Sequence, residues 1–168
     1  MRGALLALLL AALLWPADGR TQPAADLFGR WAGVVGSDGA DRAARVVLQA
    51  QRNGFDLDIA VSGVPALQAR LVPSGQPHVY QLAAASGGLF GFFEGSGGTS
   101  PLDGAPLIWA RVTATGLVAY RLAIAPDGGM GLARIAMDVA GGGLEVHVER
   151  RVDAQPPERW QGTLEREG

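Results

Sequence analysis

The sequence predicts an exported all-β domain, an antiparallel up-and-down β-barrel of about eight to ten strands. Three observations predict it. An apolar N-terminal run with the anatomy of a secretion signal comes first. After it, apolar and polar residues alternate in about ten short runs. Clusters of Gly, Pro, Asn and Asp separate those runs at regular intervals, and hairpin order favours a barrel, which leaves no open edge.

The leader is read from its order of parts. Met1-Arg2-Gly3 is a positive start, Ala4 to Trp15 is an unbroken apolar run, and Pro16 breaks it. Ala17-Asp18-Gly19 fits a small-x-small cleavage site, so residues 1–19 are expected to be a signal peptide and the mature chain to begin at Arg20. The run is shorter than the roughly 20 residues of a membrane span, and no later stretch approaches that length. Residues 20–27 form a polar, proline-containing lead-in expected to be flexible, and residues 28–168 form one domain. The expected location is the periplasm or the medium. All 14 basic residues are arginine, a bias that with abundant Ala and Gly points to a GC-rich bacterial coding sequence.

Composition narrows the partners. The net charge of −2 and the absence of any basic run argue against nucleic acid. With no cysteine there is no disulfide, no thiolate metal site and no lipid anchor on a cysteine. A domain of this size can instead rely on its core.

Phe28–Val35 is the first expected strand, with Trp31 and Val35 on one face and Arg30 and Val34 on the other. The second, 42–52, carries Val46, Leu48 and Ala50 on one face. Asn53-Gly54 is the strongest hairpin signal in the chain and leads into 55–62, where Phe55, Leu57, Ile59 and Val61 alternate with Asp56, Asp58 and Ser62. A weaker strand, 66–72, has Leu67, Ala69 and Leu71 in phase, and 78–84 follows the loop at Pro73 to Pro77. Residues 86–105 are the least regular part. Strand pattern returns at 107–112, 117–125, 130–139, 144–152 and 159–167, with turns at Pro126-Asp127-Gly128-Gly129 and Gly141-Gly142-Gly143. In 117–125 the residues Val118, Tyr120, Leu122 and Ile124 share a face.

Few residues offer chemistry. Glu145, His147 and Glu149 line one strand face, but neighbours two apart on a strand are about 7 Å apart and cannot converge on one ion, so the row reads as solvated. Asp56 and Asp58 read as the wet side of their strand. No Gly-x-Ser-x-Gly, phosphate loop or His-Glu-x-x-His occurs, and no catalytic residue, metal or cofactor is expected. Leu89, Phe90, Phe92 and Phe93 form a lid, an exposed patch or part of the core. Trp109 and Arg111 share a face; in a lumen, that arginine would need an anionic partner.

Gly29-x-Trp31 on the first strand, with Arg166 on the last, resembles the calycin superfamily of lipocalins, fatty-acid-binding proteins and avidins. The resemblance implies that Arg166 covers Trp31 and that Gly29, Trp31 and Arg166 close the barrel. Pro101-Leu102-Asp103-Gly104, Leu107-Ile108-Trp109-Ala110-Arg111, Leu117…Tyr120, Asp127-Gly128-Gly129, Arg134 and Gly162-x-Leu164-x-Arg166 resemble a group of small exported bacterial proteins of unknown function. The expected role is binding of a small apolar or amphipathic ligand in the barrel, with Trp31, Trp109, Arg111 and Tyr120 as ligand-contacting candidates. The alternatives are a protein-interaction module such as a protease inhibitor, or a filled structural barrel of the cell envelope.

Overall fold

In this computed structural model the described residues are 23–37, 40–83 and 104–168. A short 3-10 turn, Ala25–Leu27, precedes ten strands: β1 Gly29–Ser37, β2 Ala40–Gln51, β3 Gly54–Val61, β4 Val64–Pro73, β5 Val79–Leu82, β6 Leu107–Val112, β7 Gly116–Ile124, β8 Met130–Ala140, β9 Gly143–Val152 and β10 Glu158–Arg166. Each strand pairs antiparallel with its sequence neighbour, and β10 pairs with β1 to close an up-and-down barrel. Every strand has a partner on both sides, so no strand is a free edge, although β5 meets β4 and β6 over three residues each. The end that carries the 3-10 turn and the C-terminus is termed lower, and the opposite end upper.

Alternation decides what enters the lumen. Val46 and Leu48 on β2, Phe55, Leu57 and Ile59 on β3, and Leu67 and Leu71 on β4 all join one buried apolar cluster, which continues through Tyr80, Ile135, Met137 and Leu144. Burying a side chain of this kind contributes about 1.5–3 kcal/mol. A surface ion pair such as Arg70–Asp56, at 2.8 Å, contributes at most about 1 kcal/mol. The lumen lining therefore carries the stability. The outer wall bears Asp56, Asp58 and Arg70 on β3–β4 and Glu145, His147 and Glu149 on β9. Apolar inside and charged outside is the reverse of a membrane-spanning barrel. No described helix is long and apolar enough to cross a membrane.

The lower end is closed by β1 and β10. Trp31 faces Arg166 in register, and the Arg166 guanidinium lies 4.4 Å from the Trp31 ring centroid. Arg166 donates to the carbonyls of Phe28, at 3.0 Å, and Asp26, while Trp31 Nε1 donates to Leu27 O at 3.1 Å. Gly29 has φ +144°, and a Cβ there would stand 2.8 Å from Arg166 Nη1. Only a residue without a side chain lets the arginine lie down against the strand.

The upper end repeats the device. Arg42 on β2 stands 4.4 Å over the ring of Trp160 on β10, and its Nη1 donates to Ser62 O at 2.8 Å. Gly63 lies directly beneath that guanidinium, as Gly29 does beneath Arg166. Both tryptophans sit in the same short pattern, Arg30-Trp31-Ala32-Gly33 and Arg159-Trp160-Gln161-Gly162. This repetition is visible in the sequence once the two stretches are compared.

Three details differ from the sequence reading. The two turn residues between β2 and β3 are Arg52 and Asn53, and Gly54, φ +120°, opens β3 opposite Gln51. The signal was right in kind and displaced by one residue, because the positive φ is needed where the chain re-enters the ladder. Within the lead-in, Ala25–Leu27 forms a 3-10 turn whose Leu27 is buried and accepts from Trp31 Nε1. Ala50 stays in phase with Leu48 but is exposed next to the turn, beyond the reach of the core.

Candidate functional site

The direction of β6 and β7 determines which residues enter the lumen. Ile108, Ala110 and Val112 on β6 and Leu117 and Ala119 on β7 are buried. Trp109, Arg111 and Tyr120 therefore point outward, which corrects their expected place in the lumen. Both faces of these strands are apolar, so alternation alone leaves the direction open, and the set with the small alanines turns in. Trp109 and Tyr120 are register partners, and their rings stack on the outer wall with centroids 4.9 Å apart and 7° between planes. Trp31 is in the lumen but 1% exposed beneath Arg166, so its role is closure together with Gly29 and Arg166. Leu89, Phe90, Phe92 and Phe93 lie outside the described residues.

The same parity turns Arg121 inward. It pairs with Ile108 on β6 and Ala133 on β8, both buried. The inward row continues from Ala133 to Arg150 on β9 and Glu158 on β10. Arg150 Nη1 meets Glu158 Oε2 at 3.4 Å. Arg121 has no carboxylate and no hydrogen-bond partner among the described residues. Burial alone holds its guanidinium below the ordinary arginine value, because the charged form loses water without gaining a partner. Arginine stays protonated at neutral pH, so the upper mouth contains a half-buried positive charge with no partner among the described residues.

The surroundings suit an acid group with an apolar body. Arg121 and Arg150 stand two strands apart, about 9–10 Å between backbones. Ala133 between them offers a methyl group where a larger side chain would fill the gap. Below the row, Tyr80, Ala110, Ala119 and Ile135 continue the apolar lining.

Other charged places are internally satisfied. On the outer wall a groove of about 820 Å³ runs past Asp41, Asp138, His147, Glu149, Arg159 and Gln161. Glu149 there accepts from Arg151 at 2.8 Å and Arg159 at 3.3 Å, and these bonds, Arg151 first, hold its carboxyl below the usual range. Asp56 is held low chiefly by Arg70, with Gln51 also donating to it. His147 is exposed, and among the described residues no three His, Cys, Asp or Glu side chains are placed to hold a metal ion.

Arg121 was missed in the sequence because its strand was read from the larger residues of the opposite face. Choosing the phase of Leu117 and Ala119 would have found it. Comparisons with protein-family models, with curated proteins and with solved structures find no match to this chain.

Proposed function

We propose that the protein is an exported, calycin-like binder of a small amphipathic anion, taken up at the upper mouth of the barrel. The acid group of the ligand meets Arg121, and its apolar part lies against the lumen lining. One observation carries this reading: an inward, half-buried arginine with no partner carboxylate among the described residues. Leaving a charge desolvated and unpaired costs stability, and a bound anion recovers that cost. The stacked Trp31 and Arg166 at the lower end support the calycin-like reading and leave the upper end as the entrance.

The test is native mass spectrometry of the protein purified from its own host, beside an Arg121→Gln form. The expected result is a co-purified small acid on the first and its loss from the second. Removing one charge-assisted hydrogen bond should weaken binding by roughly ten- to a hundredfold. An empty wild-type protein, or a ligand retained equally by both forms, contradicts the proposal.

The second reading is a filled structural barrel. It is favoured by lining residues such as Leu71, Leu117 and Ala119, which are 0% exposed. It predicts no co-purified molecule and no effect of Arg121 on anything but stability.

A further inference from the structure

The outer wall of β6–β8 is unlike the rest of the surface. Among the described residues five large hydrophobic side chains are exposed, and three of them, Leu107, Ile124 and Met130, stand on the outer face at the upper ends of β6 to β8. Register orders the outer wall beneath that rim. Ile124 pairs with Met130 in the top row, and Leu107, Leu122 and Leu132 form the next. The stacked rings of Trp109 and Tyr120 follow, in one row with Arg134, and Arg111 lies one row lower beside Val118.

Charge on the β6–β7 part of this wall is one-sided. Residues 104–125 contain no Asp or Glu although the chain as a whole is acidic. Arg111 and Arg134 have no hydrogen-bond or ion-pair partner among the described residues. Several arginines elsewhere on the outer surface are paired, Arg70 with Asp56, Arg151 and Arg159 with Glu149, and Arg45 with Glu167, while Arg30 and Arg52 have no ion pair among the described residues. Carboxylates stand at its margins and are bonded there: Asp127 accepts from Gly129 N at 3.0 Å and Asp153 from Met130 N at 2.6 Å above the wall, Asp138 accepts from Thr115 at 2.8 Å at its foot, and Glu149, beside Arg134 on β9, is held by Arg151 and Arg159.

We infer that the outer wall of β6–β8 docks on an anionic lipid surface, with its aliphatic rim in the acyl boundary and Arg111 and Arg134 at the phosphates. The order of residue types favours lipid over a protein partner. Aliphatic tips, then a Trp–Tyr belt, then arginine is the sequence of environments met on leaving a bilayer: hydrocarbon, interface, headgroup. The dimensions agree. Ile124 and Tyr120 are four residues apart, about 13 Å along the strand and, at an ordinary barrel tilt, about 10 Å along the axis. Amphipathic segments at an interface bury their apolar face by about 5–10 Å. The inference stands whether or not the lumen holds a ligand.

Sedimentation with vesicles tests it, using equimolar phosphatidylglycerol and phosphatidylcholine against phosphatidylcholine alone. The protein should bind the anionic vesicles, and added salt should weaken binding. Ile124→Asp with Met130→Asp should lower binding at least tenfold, and Arg111→Glu with Arg134→Glu several-fold. All four side chains point outward, and a melting curve confirms that each variant folds. Trp109 is the one described tryptophan outside the core, so lipid brominated near the interface should quench wild-type emission more than that of Trp109→Phe. Absence of vesicle binding overturns the inference, including the case where the same variants abolish association with a protein or with a second copy. Equal binding to both vesicle types, unchanged by the variants, also overturns it.

Discussion

The two ends of the barrel use the same device to different degrees. At the lower end Arg166 covers Trp31, donates to two carbonyls and draws the buried Leu27 turn beneath the barrel. At the upper end Arg42 covers Trp160 but donates to one carbonyl, and only on the β2–β10 side. Across the mouth, on β7, a third arginine enters the lumen with no partner among the described residues. Where both ends have a cation, the lower one spends it on closure and the upper one leaves a cation available. The difference separates arginines fixed on a ring and a carbonyl from one without a partner among the described residues, which is the one we propose for an external anion.

Removing the rings should separate the ends most. Trp31→Ala should cost about 3–5 kcal/mol in denaturant unfolding, as expected for a fully buried aromatic. Trp160→Ala should cost less, because no 3-10 turn hangs from it; equal losses would mean that the ends are equivalent. The arginines come next. Arg166→Lys should cost about 1–2 kcal/mol, since lysine cannot reproduce a planar fork over the ring with two carbonyl bonds. Arg42→Lys should cost about half as much, and a reversal would undo the contrast between closed and open ends.

The opposite sign is expected at the third arginine. Arg121→Leu should stabilise the ligand-free protein by about 1 kcal/mol, because a desolvated charge with no partner is replaced by an apolar side chain on an apolar row. A loss of stability would show that the guanidinium is already satisfied.

This contrast was only partly legible in the sequence. The β3 strand was clear because its faces differ in kind, Phe55, Leu57 and Ile59 against Asp56 and Asp58, so alternation fixes both the strand and its direction. The lower closure was expected from the resemblance of Gly29, Trp31 and Arg166 to the calycin pattern, and the strands that carry them meet where the two ends of the meander join. The β6–β7 hairpin was legible as strands but not in direction. Leu107, Trp109 and Leu122 are as apolar as Ile108, Val112 and Leu117, so the larger set looked like core. That ambiguity hid Arg121 and misplaced Trp109, Arg111 and Tyr120. It arises because this part of the outer wall is itself apolar, a property of the surface that no strand pattern reveals alone.

The smallest effect concerns pH. Asp56 has a folded pKa below its unfolded value, set first by its hydrogen bonds to Arg70. Such a group stabilises above the unfolded carboxylate value, and the contribution fades as pH falls through the folded one. Asp56 is partly exposed and screened, so Asp56→Asn should cost less than about 1 kcal/mol at pH 7 and nothing once the carboxyl is protonated. A difference that persists well below the carboxylate range would place its role in packing rather than charge.

The most direct test of the proposed binding site at the upper mouth is a fluorescence titration with 1-anilinonaphthalene-8-sulfonate, an amphipathic anion, on native wild-type protein and on Arg121→Leu. The account predicts saturable binding to the wild type and at least a tenfold weaker affinity for the variant, with both still folded. Equal affinities, or no binding by a folded wild type, would contradict it.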